Sequence, residues 1–385
     1  MSELITVNPK ERQKGFFTEN LLINRLPQDH KTTFEKIKKI KITENDHIIK
    51  KYVSAYESYF KNENNSEILP GDIDRIELEK LEGENLKRYL EYRYKYKIYP
   101  DEKILEDYPP CVQVEPTSVC NYRCIMCYQK DRTFSKKSSG HMGNMKLELF
   151  KKIVDELEGN VEAITLASRG EPMLNLEIID MLNYCSNKFL ALKMNTNGSM
   201  LNEKKIHKIL SSNLNTIVFS VDSADKENYE KIRVNGNFEK VYSNIRLFSE
   251  IKNKHYSDSD IIIRISGVKI NNIQNIDSMK DQWQEYADIL AFTNYTPWQS
   301  SYENKINEIS SPCSELWRRM FLWWDGKINP CDFDYKTVLK TGDFDLNNSY
   351  NIKKVWNSDI YNNLRAKHLE NSRKKVNPCN KCIMI

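Results

Sequence analysis

The chain has 385 residues, 39% hydrophobic and 29% charged, a balance that reads as a soluble, globular protein rather than a disordered one. A formal charge of +4 is small for this length and gives no reason to expect a polyanionic partner for the whole molecule. No apolar run nears the roughly 20 residues that cross a bilayer. Residues 1–13 lack an apolar signal core, so the expected location is cytoplasmic, with no membrane partner.

Residues 1–105 are polar and tyrosine-rich, with helical spacing over about 31–60 and 75–93 and a turn at Leu69-Pro70-Gly71. They read as a mainly helical N-terminal extension. Within it, residues 86–99 interleave Arg88, Arg93, Lys95 and Lys97 with Tyr92, Tyr94 and Tyr96. One reading is a nucleic-acid surface with stacking platforms; the favoured one is an amphipathic element packed on the core with solvated cations. Lys36 to Lys41 read as a solvated helix face.

From Pro109 the texture becomes apolar runs alternating with amphipathic ones. Strands are expected at 111–115, 163–167, 190–195, 216–222, 261–270 and 289–293. Helices are expected near 146–158, 176–187, 203–211, 225–253 (broken around Gly236) and 273–286. Such alternation builds βαβ units and a parallel sheet, and six repeats are too few to close an eight-stranded barrel. The expected class is therefore α/β: a partial (β/α)6 TIM-like barrel over 106–300, followed by a small cysteine-stapled appendage over 301–385.

In a protein without an export signal, clustered thiols point to metal or catalysis rather than to disulfides. Seven of the nine cysteines cluster: Cys120, Cys124 and Cys127, then Cys313, Cys331, Cys379 and Cys382. Cys111 and Cys185 lie in apolar stretches and read as small buried hydrophobes. The first group, Cys-x3-Cys-x2-Cys, directly follows the first expected strand, at the end where barrel sites are built. Three thiolates so spaced can ligate three irons of a [4Fe–4S] cube and leave the fourth open. The competing reading is a three-cysteine zinc site completed by His141.

The motif in this position resembles the radical S-adenosylmethionine (SAM) superfamily. The resemblance covers roughly residues 109–295. It implies SAM bound to the open iron and cleaved reductively to a 5′-deoxyadenosyl radical. Met126 stands where the family usually has an aromatic residue. Ser168-Arg169-Gly170-Glu171-Pro172 resembles the family's G-G-E-P segment, with Arg169 replacing the first glycine. By the same resemblance Met126, Gly170, Glu171, Asn195, Asn197, Ser220, Asp222, Arg264 and Ser266 would bind SAM, the Glu171 carboxylate accepting a hydrogen bond from the SAM amino group.

Twelve residues separate Cys313 from Gly326 and four separate Gly326 from Cys331, with Cys379-x2-Cys382 closing the chain. This layout resembles SPASM and twitch extensions, which carry auxiliary [4Fe–4S] clusters; four ligands suit one closed cluster, the twitch type. Asp325-Gly326 reads as the turn of a hairpin that brings Cys313 and Cys331 together. A four-cysteine zinc ribbon is the alternative.

The implied enzyme abstracts hydrogen from an unactivated C–H bond. Oxidation or epimerisation of a small polar metabolite such as a sugar or aminocyclitol comes first, by resemblance to twitch-bearing alcohol dehydrogenases of aminocyclitol antibiotic pathways. Peptide or protein modification follows, then RNA modification; a zinc- or Fe–S-stapled binding protein is the non-enzymatic reading. An electron donor such as flavodoxin or ferredoxin is the implied partner. Glu115, Asp332 and Asp334 lie near the cysteines in sequence, a weak case for a catalytic base, and no residue is assigned that role.

Overall fold

In the computed structural model, residues 17–63, 67–270, 274–347 and 351–384 are described. Residues 1–13, from which the absence of a signal core is read, lie outside them, as does the first residue of the helix expected at 273–286. Among the described residues, one ten-stranded sheet organises the chain. Its centre consists of β2 (Cys111–Val114), β3 (Ala163–Leu166), β4 (Ala191–Thr196), β5 (Thr216–Ser220), β6 (Ile262–Lys269) and β7 (Ile289–Asn294), each parallel to the next. All six expected strands are present. The sheet does not close on itself, as a partial barrel requires.

The helices on its outer face follow from sequence spacing. The helix Leu147–Leu157 buries Phe150, Ile153, Val154 and Leu157, one stripe at helical spacing. The helices Glu203–Leu210, Lys226–Ile232, Phe238–His255 and Ile276–Trp283 each begin at an Asn or Asp whose side chain accepts a hydrogen bond from the backbone N–H three residues on. The expected break around Gly236 lies between the second and third of these.

Two pieces of the sheet lie outside the sequence reading. At one edge β1 (Phe17–Leu22) runs antiparallel to β7, pairing Leu22 with Ile289. At the other, β8 (Arg319–Leu322) runs parallel to β2, and the hairpin of β8 with β9 (Lys327–Asn329) continues into β10 (Gly342–Asp343). In the hairpin loop Gly326 takes φ +83° and its N–H bonds the Trp323 carbonyl at 2.9 Å. This three-residue loop with a left-handed glycine delivers the turn expected at Asp325-Gly326.

The N-terminal helices are α1 (His30–Lys38), α2 (His47–Phe60), α3 (Asp72–Leu78) and α4 (Gly83–Glu102). The cluster they form includes Cys111, Ala163 and Ala191, the first residues of β2, β3 and β4. They therefore pack beneath the barrel, at the end where its strands begin. The basic, tyrosine-rich stretch is α4. Arg88 pairs with Glu162 (2.7 Å), Arg93 with Asp74 (2.7 Å) and Lys95 with Glu106 (2.6 Å), while Lys97 donates to the Glu67 carbonyl. Tyr89, Tyr92 and Tyr94 are buried. The packed element is thus what the structure contains, but its cations are ion-paired or bonded to a carbonyl rather than simply solvated. Among the described residues no helix is long and apolar enough to cross a membrane.

Candidate functional site

A cavity of about 1280 Å³ occupies the barrel interior. Period-2 alternation aims every second residue of the central strands into it, and the parallel register stacks those residues in rows. Val268 pairs with Thr293 nearest the C-terminal strand ends, and one step in Ser220 pairs with Ser266. One inward step deeper lie Asn195, Val218 and Arg264, and deeper again Gln113, Thr165, Lys193 and Thr216. Met126, Cys127 and Tyr128 line the same cavity, as do Cys313, Cys331, Cys379 and Cys382. Glu77, Tyr92 and Arg93, from α3 and α4, supply its floor. Both cysteine groups therefore border one space.

The loop after β2 carries the first group. Its backbone is pinned by Arg123 N–H to the Val234 carbonyl (2.9 Å) and Ile125 N–H to the Ile232 carbonyl (3.0 Å). The Arg123 guanidinium reaches back to the carbonyls of Cys120 and Tyr122, both at 2.7 Å. Gln129 donates to the carbonyls of Ser118 and Arg169, lacing the cysteine loop to the loop after β3. Burial, and then the neighbouring thiols, push Cys120 and Cys127 up, Cys127 to about 12. Cys124 is raised by burial and eased by the Arg233 guanidinium, whose nitrogen lies 3.9 Å from its sulfur. Three clustered thiols, Cys124 buried and Cys120 and Cys127 half-buried, that resist ionisation together suit a multi-iron cluster, which supplies the positive charge they lack.

The expected SAM contacts divide. Met126, Asn195, Ser220, Arg264 and Ser266 line the cavity. Asp222 does not: it is fully buried, with one oxygen 2.5 Å from Arg233 and the other accepting from Val268 N–H at 2.8 Å. It holds the arginine beside Cys124. Glu171 is buried and accepts from the Thr196 hydroxyl (2.6 Å), Met173 N–H (3.1 Å) and Asn197 N–H (2.7 Å). A carboxylate offers about four such positions, so one remains, on Oε2. Asn197 binds Asn121 of the cysteine loop (3.0 Å). Gly170 has a packing reason: a Cβ there would stand 2.3 Å from the Thr117 carbonyl oxygen and 2.6 Å from that of Val119. Gly170→Ala is expected to cost about 1–3 kcal/mol and to lower iron content, read by melting temperature and iron assay.

Ser168 and Arg169 show what lies behind the departure from the glycine pair. Ser168 takes φ +146° at the cavity wall, an uncommon conformation for a residue with a side chain. Arg169 forms a two-pronged pair with Glu115, both bonds 2.6 Å, donates to the Tyr335 carbonyl at 2.9 Å and sits 4.1 Å over the Trp323 ring. Glu115 also accepts from Trp324 N–H at 3.2 Å. The pair therefore ties the barrel to the C-terminal segment. Tyr128, next to Cys127, extends the tie by stacking on Tyr335 at 4.8 Å.

Buried Arg373 gathers the second group: its guanidinium donates to the carbonyls of Ser311 (3.0 Å), Cys379 (3.3 Å) and Cys382 (2.9 Å). Asn329 donates to the Cys331 carbonyl at 2.7 Å, and Cys313 N–H bonds His368 at 3.2 Å. Cys331 is raised by burial and by the charges of Cys379, Asp334, Cys382 and Cys313, so the four thiols share one neighbourhood. Asp334 caps the following turn by accepting from the N–H groups of Val338 (3.0 Å) and Leu339 (2.7 Å). Asp332 lines the cavity, and burial pushes it up to about 6. Cys185 is a core hydrophobe, and Cys111 is buried at the cavity edge. His141 stacks on Phe134 at 5.4 Å. Among the described residues no three His, Cys, Asp or Glu side chains converge as ligands of a single ion; a cube spreads its thiolates over different irons and does not require that.

Comparison with known proteins agrees with this layout. The model of the radical SAM superfamily matches residues 114–281, and that of SPASM, an iron–sulfur cluster-binding domain, matches residues 313–383. The mycofactocin maturase MftC of Mycolicibacterium smegmatis is 22% identical over 217 residues, 56% of this chain and 52% of that protein. A probable GTP 3′,8-cyclase of Methanococcus maripaludis is 31% identical over 137 residues, 35% of this chain and 44% of its own. The chain thus spans about half or less of the length of these curated relatives. Among solved structures, Streptococcus suis SuiB bound to precursor peptide SuiA aligns with a TM-score of 0.51 at 15% identity, covering 85% of this chain and 84% of that one. That likeness is one of fold.

Proposed function

The chain belongs to the radical SAM superfamily and carries a SPASM-type iron–sulfur domain, and from that premise we propose that it oxidises or epimerises a small polar metabolite inside the barrel. Its cofactors are SAM with a [4Fe–4S] cluster, and auxiliary iron–sulfur in the C-terminal domain. We assign Cys120, Cys124 and Cys127 to the first and Cys313, Cys331, Cys379 and Cys382 to the second. When bound, these groups supply one-electron reduction of SAM, hydrogen abstraction, and a store for an electron.

The observation that carries the substrate class is the cavity itself, bordered by both cysteine groups, floored by α3 and α4, and offered polar groups by Gln113, Asn195, Ser220 and Ser266 on the strands. The strand residues orient a substrate between those groups, and the helices beneath exclude water. A flavodoxin- or ferredoxin-like donor is the proposed partner. Peptide modification is the second reading, supported by a relative named as a maturase and by the fold likeness to a protein solved with a precursor peptide.

Protein purified without oxygen is expected to be brown, with iron and sulfide for two cubes, and to release 5′-deoxyadenosine with SAM and dithionite. Colourless protein holding zinc would overturn the reading. A short precursor gene beside this one would favour the peptide substrate, and sugar-nucleotide genes the small metabolite.

A further inference from the structure

The segment that leaves the first cysteine group also frames it. Lys130 N–H bonds the Cys127 carbonyl at 3.1 Å, and Asp131 N–H the Tyr128 carbonyl at 2.9 Å. The chain then returns beside the approach to Cys120: Ser118 N–H bonds the Gly143 carbonyl at 3.0 Å, and Met145 N–H the Pro116 carbonyl at 2.9 Å. Between these anchors Phe134 turns inward against Tyr128 and Tyr335, at 5.7 and 5.3 Å, while the cations stay outside. Over residues 130–146 they are Lys130, Arg132, Lys136, Lys137 and Lys146, all exposed, beside a single carboxylate, Asp131. Asp131 is already taken, by Lys336 at 2.6 Å and by the Tyr335 hydroxyl at 2.9 Å. The whole chain carries 58 cations and 54 carboxylates, so five exposed cations around one matched carboxylate depart sharply from its balance.

The inner side of the cysteine loop faces the cavity, which Met126, Cys127 and Tyr128 line and which SAM and substrate are proposed to fill. The electron that reduces the first cluster therefore arrives from the outer side, and its transfer needs close approach. We propose that residues 130–146 are the docking surface of the one-electron donor, and that the donor presents an acidic face around its own redox group. This rests on the proposed radical SAM function and adds where its electron enters. Each encounter moves one electron from the donor to the cluster, and no bond is made or broken. Exposed cations suit such a partner, because redox encounters are small and short-lived and complementary charge acts mainly on their association rate. Salt should screen that attraction and slow the encounter.

The test mixes holoenzyme carrying both clusters with a reduced acidic flavodoxin, without oxygen and without SAM. The rate of flavin oxidation is followed by its absorbance. Combined Arg132→Glu, Lys136→Glu and Lys137→Glu should slow it about tenfold at low salt and remove most of its salt dependence. Combined Lys31→Glu, Lys39→Glu and Lys41→Glu, exposed at the opposite end of the barrel, should leave it within about twofold. Reduction by dithionite, which needs no docking face, should be equal in all three proteins. Equal flavodoxin rates in the wild type and the first variant, equal slowing by both variants, or no flavin oxidation by the wild type overturns the proposal. So does a matching loss with dithionite, which would assign the effect to a damaged cluster. Release of 5′-deoxyadenosine by the wild type with SAM and dithionite is scored separately. Its absence sinks the radical reading, whereas its presence beside equal flavodoxin rates sinks the docking surface alone.

Discussion

Cys124→Ala is expected to lower 5′-deoxyadenosine release by on the order of a thousandfold or more, to the level of SAM and dithionite without protein. Cys331→Ala should leave that release within a few-fold while removing about half of the iron. The asymmetry follows from where the thiols stand. Cys124 lies between Cys120 and Cys127 on a loop pinned to the backbone of residues 232 and 234, and Arg233 touches its sulfur. Without it two thiols remain, and the buried Arg233–Asp222 pair faces a void. Cys331 belongs to a separate neighbourhood gathered by Arg373, where its loss disturbs Cys313, Cys379 and Cys382. Release surviving in Cys124→Ala would move the SAM-cleaving site elsewhere. Release vanishing in Cys331→Ala would mean that electrons reach SAM only through the C-terminal cluster.

The central strands were legible because helices cover one side of the sheet and the cavity contents the other, so each reads as an apolar run set between amphipathic helices. The spacing of Cys120, Cys124 and Cys127 was legible because it lies within one short loop, whereas the second group is spread over residues 313–382 and is gathered only by the fold. What escaped was non-local. The β1 segment, Phe-Thr-Glu-Asn-Leu-Leu, carries no strand alternation and is a strand because β7 lies beside it, some 270 residues along the chain. The β8 segment reads as a short greasy patch until its partner β2 is known.

Side-chain surroundings escaped in the same way. Asp222 lies two residues beyond β5, where a ribose ligand is expected, and only the presence of Arg233 behind it shows why it is turned away. An arginine eleven residues downstream of a strand-end aspartate was the available signal, and it is a faint one. Lys193 carried no motif at all; its place is set by strand register. Arg169 registered only as a missing glycine, because its partner lies 54 residues away.

That pair yields the largest expected effect on stability. Glu115 and Arg169 side chains are 0% and 2% exposed. Arg169→Met strands a carboxylate in the interior and should cost about 3–5 kcal/mol, read as a fall in the thermal midpoint of the holoenzyme. Glu115→Ala should cost a similar amount, since it strands the guanidinium and also removes the acceptor of Arg169 and Trp324 N–H, both at 3.2 Å. Glu115→Gln combined with Arg169→Met removes both charges and keeps an acceptor for one of those two amides, which bond different carboxylate oxygens. It should therefore recover more than half of the loss in Arg169→Met, because the penalty of a broken buried pair is chiefly that of the charge left behind. A double variant no better than Arg169→Met would assign the cost to lost packing, since Arg169 also covers Trp323 and holds the Tyr335 carbonyl. A single-variant cost below about 1 kcal/mol, the range of exposed ion pairs, would mean that water reaches the pair. The C-terminal segment would then be joined to the barrel by β8 and the stack of Tyr128 on Tyr335 rather than by charge.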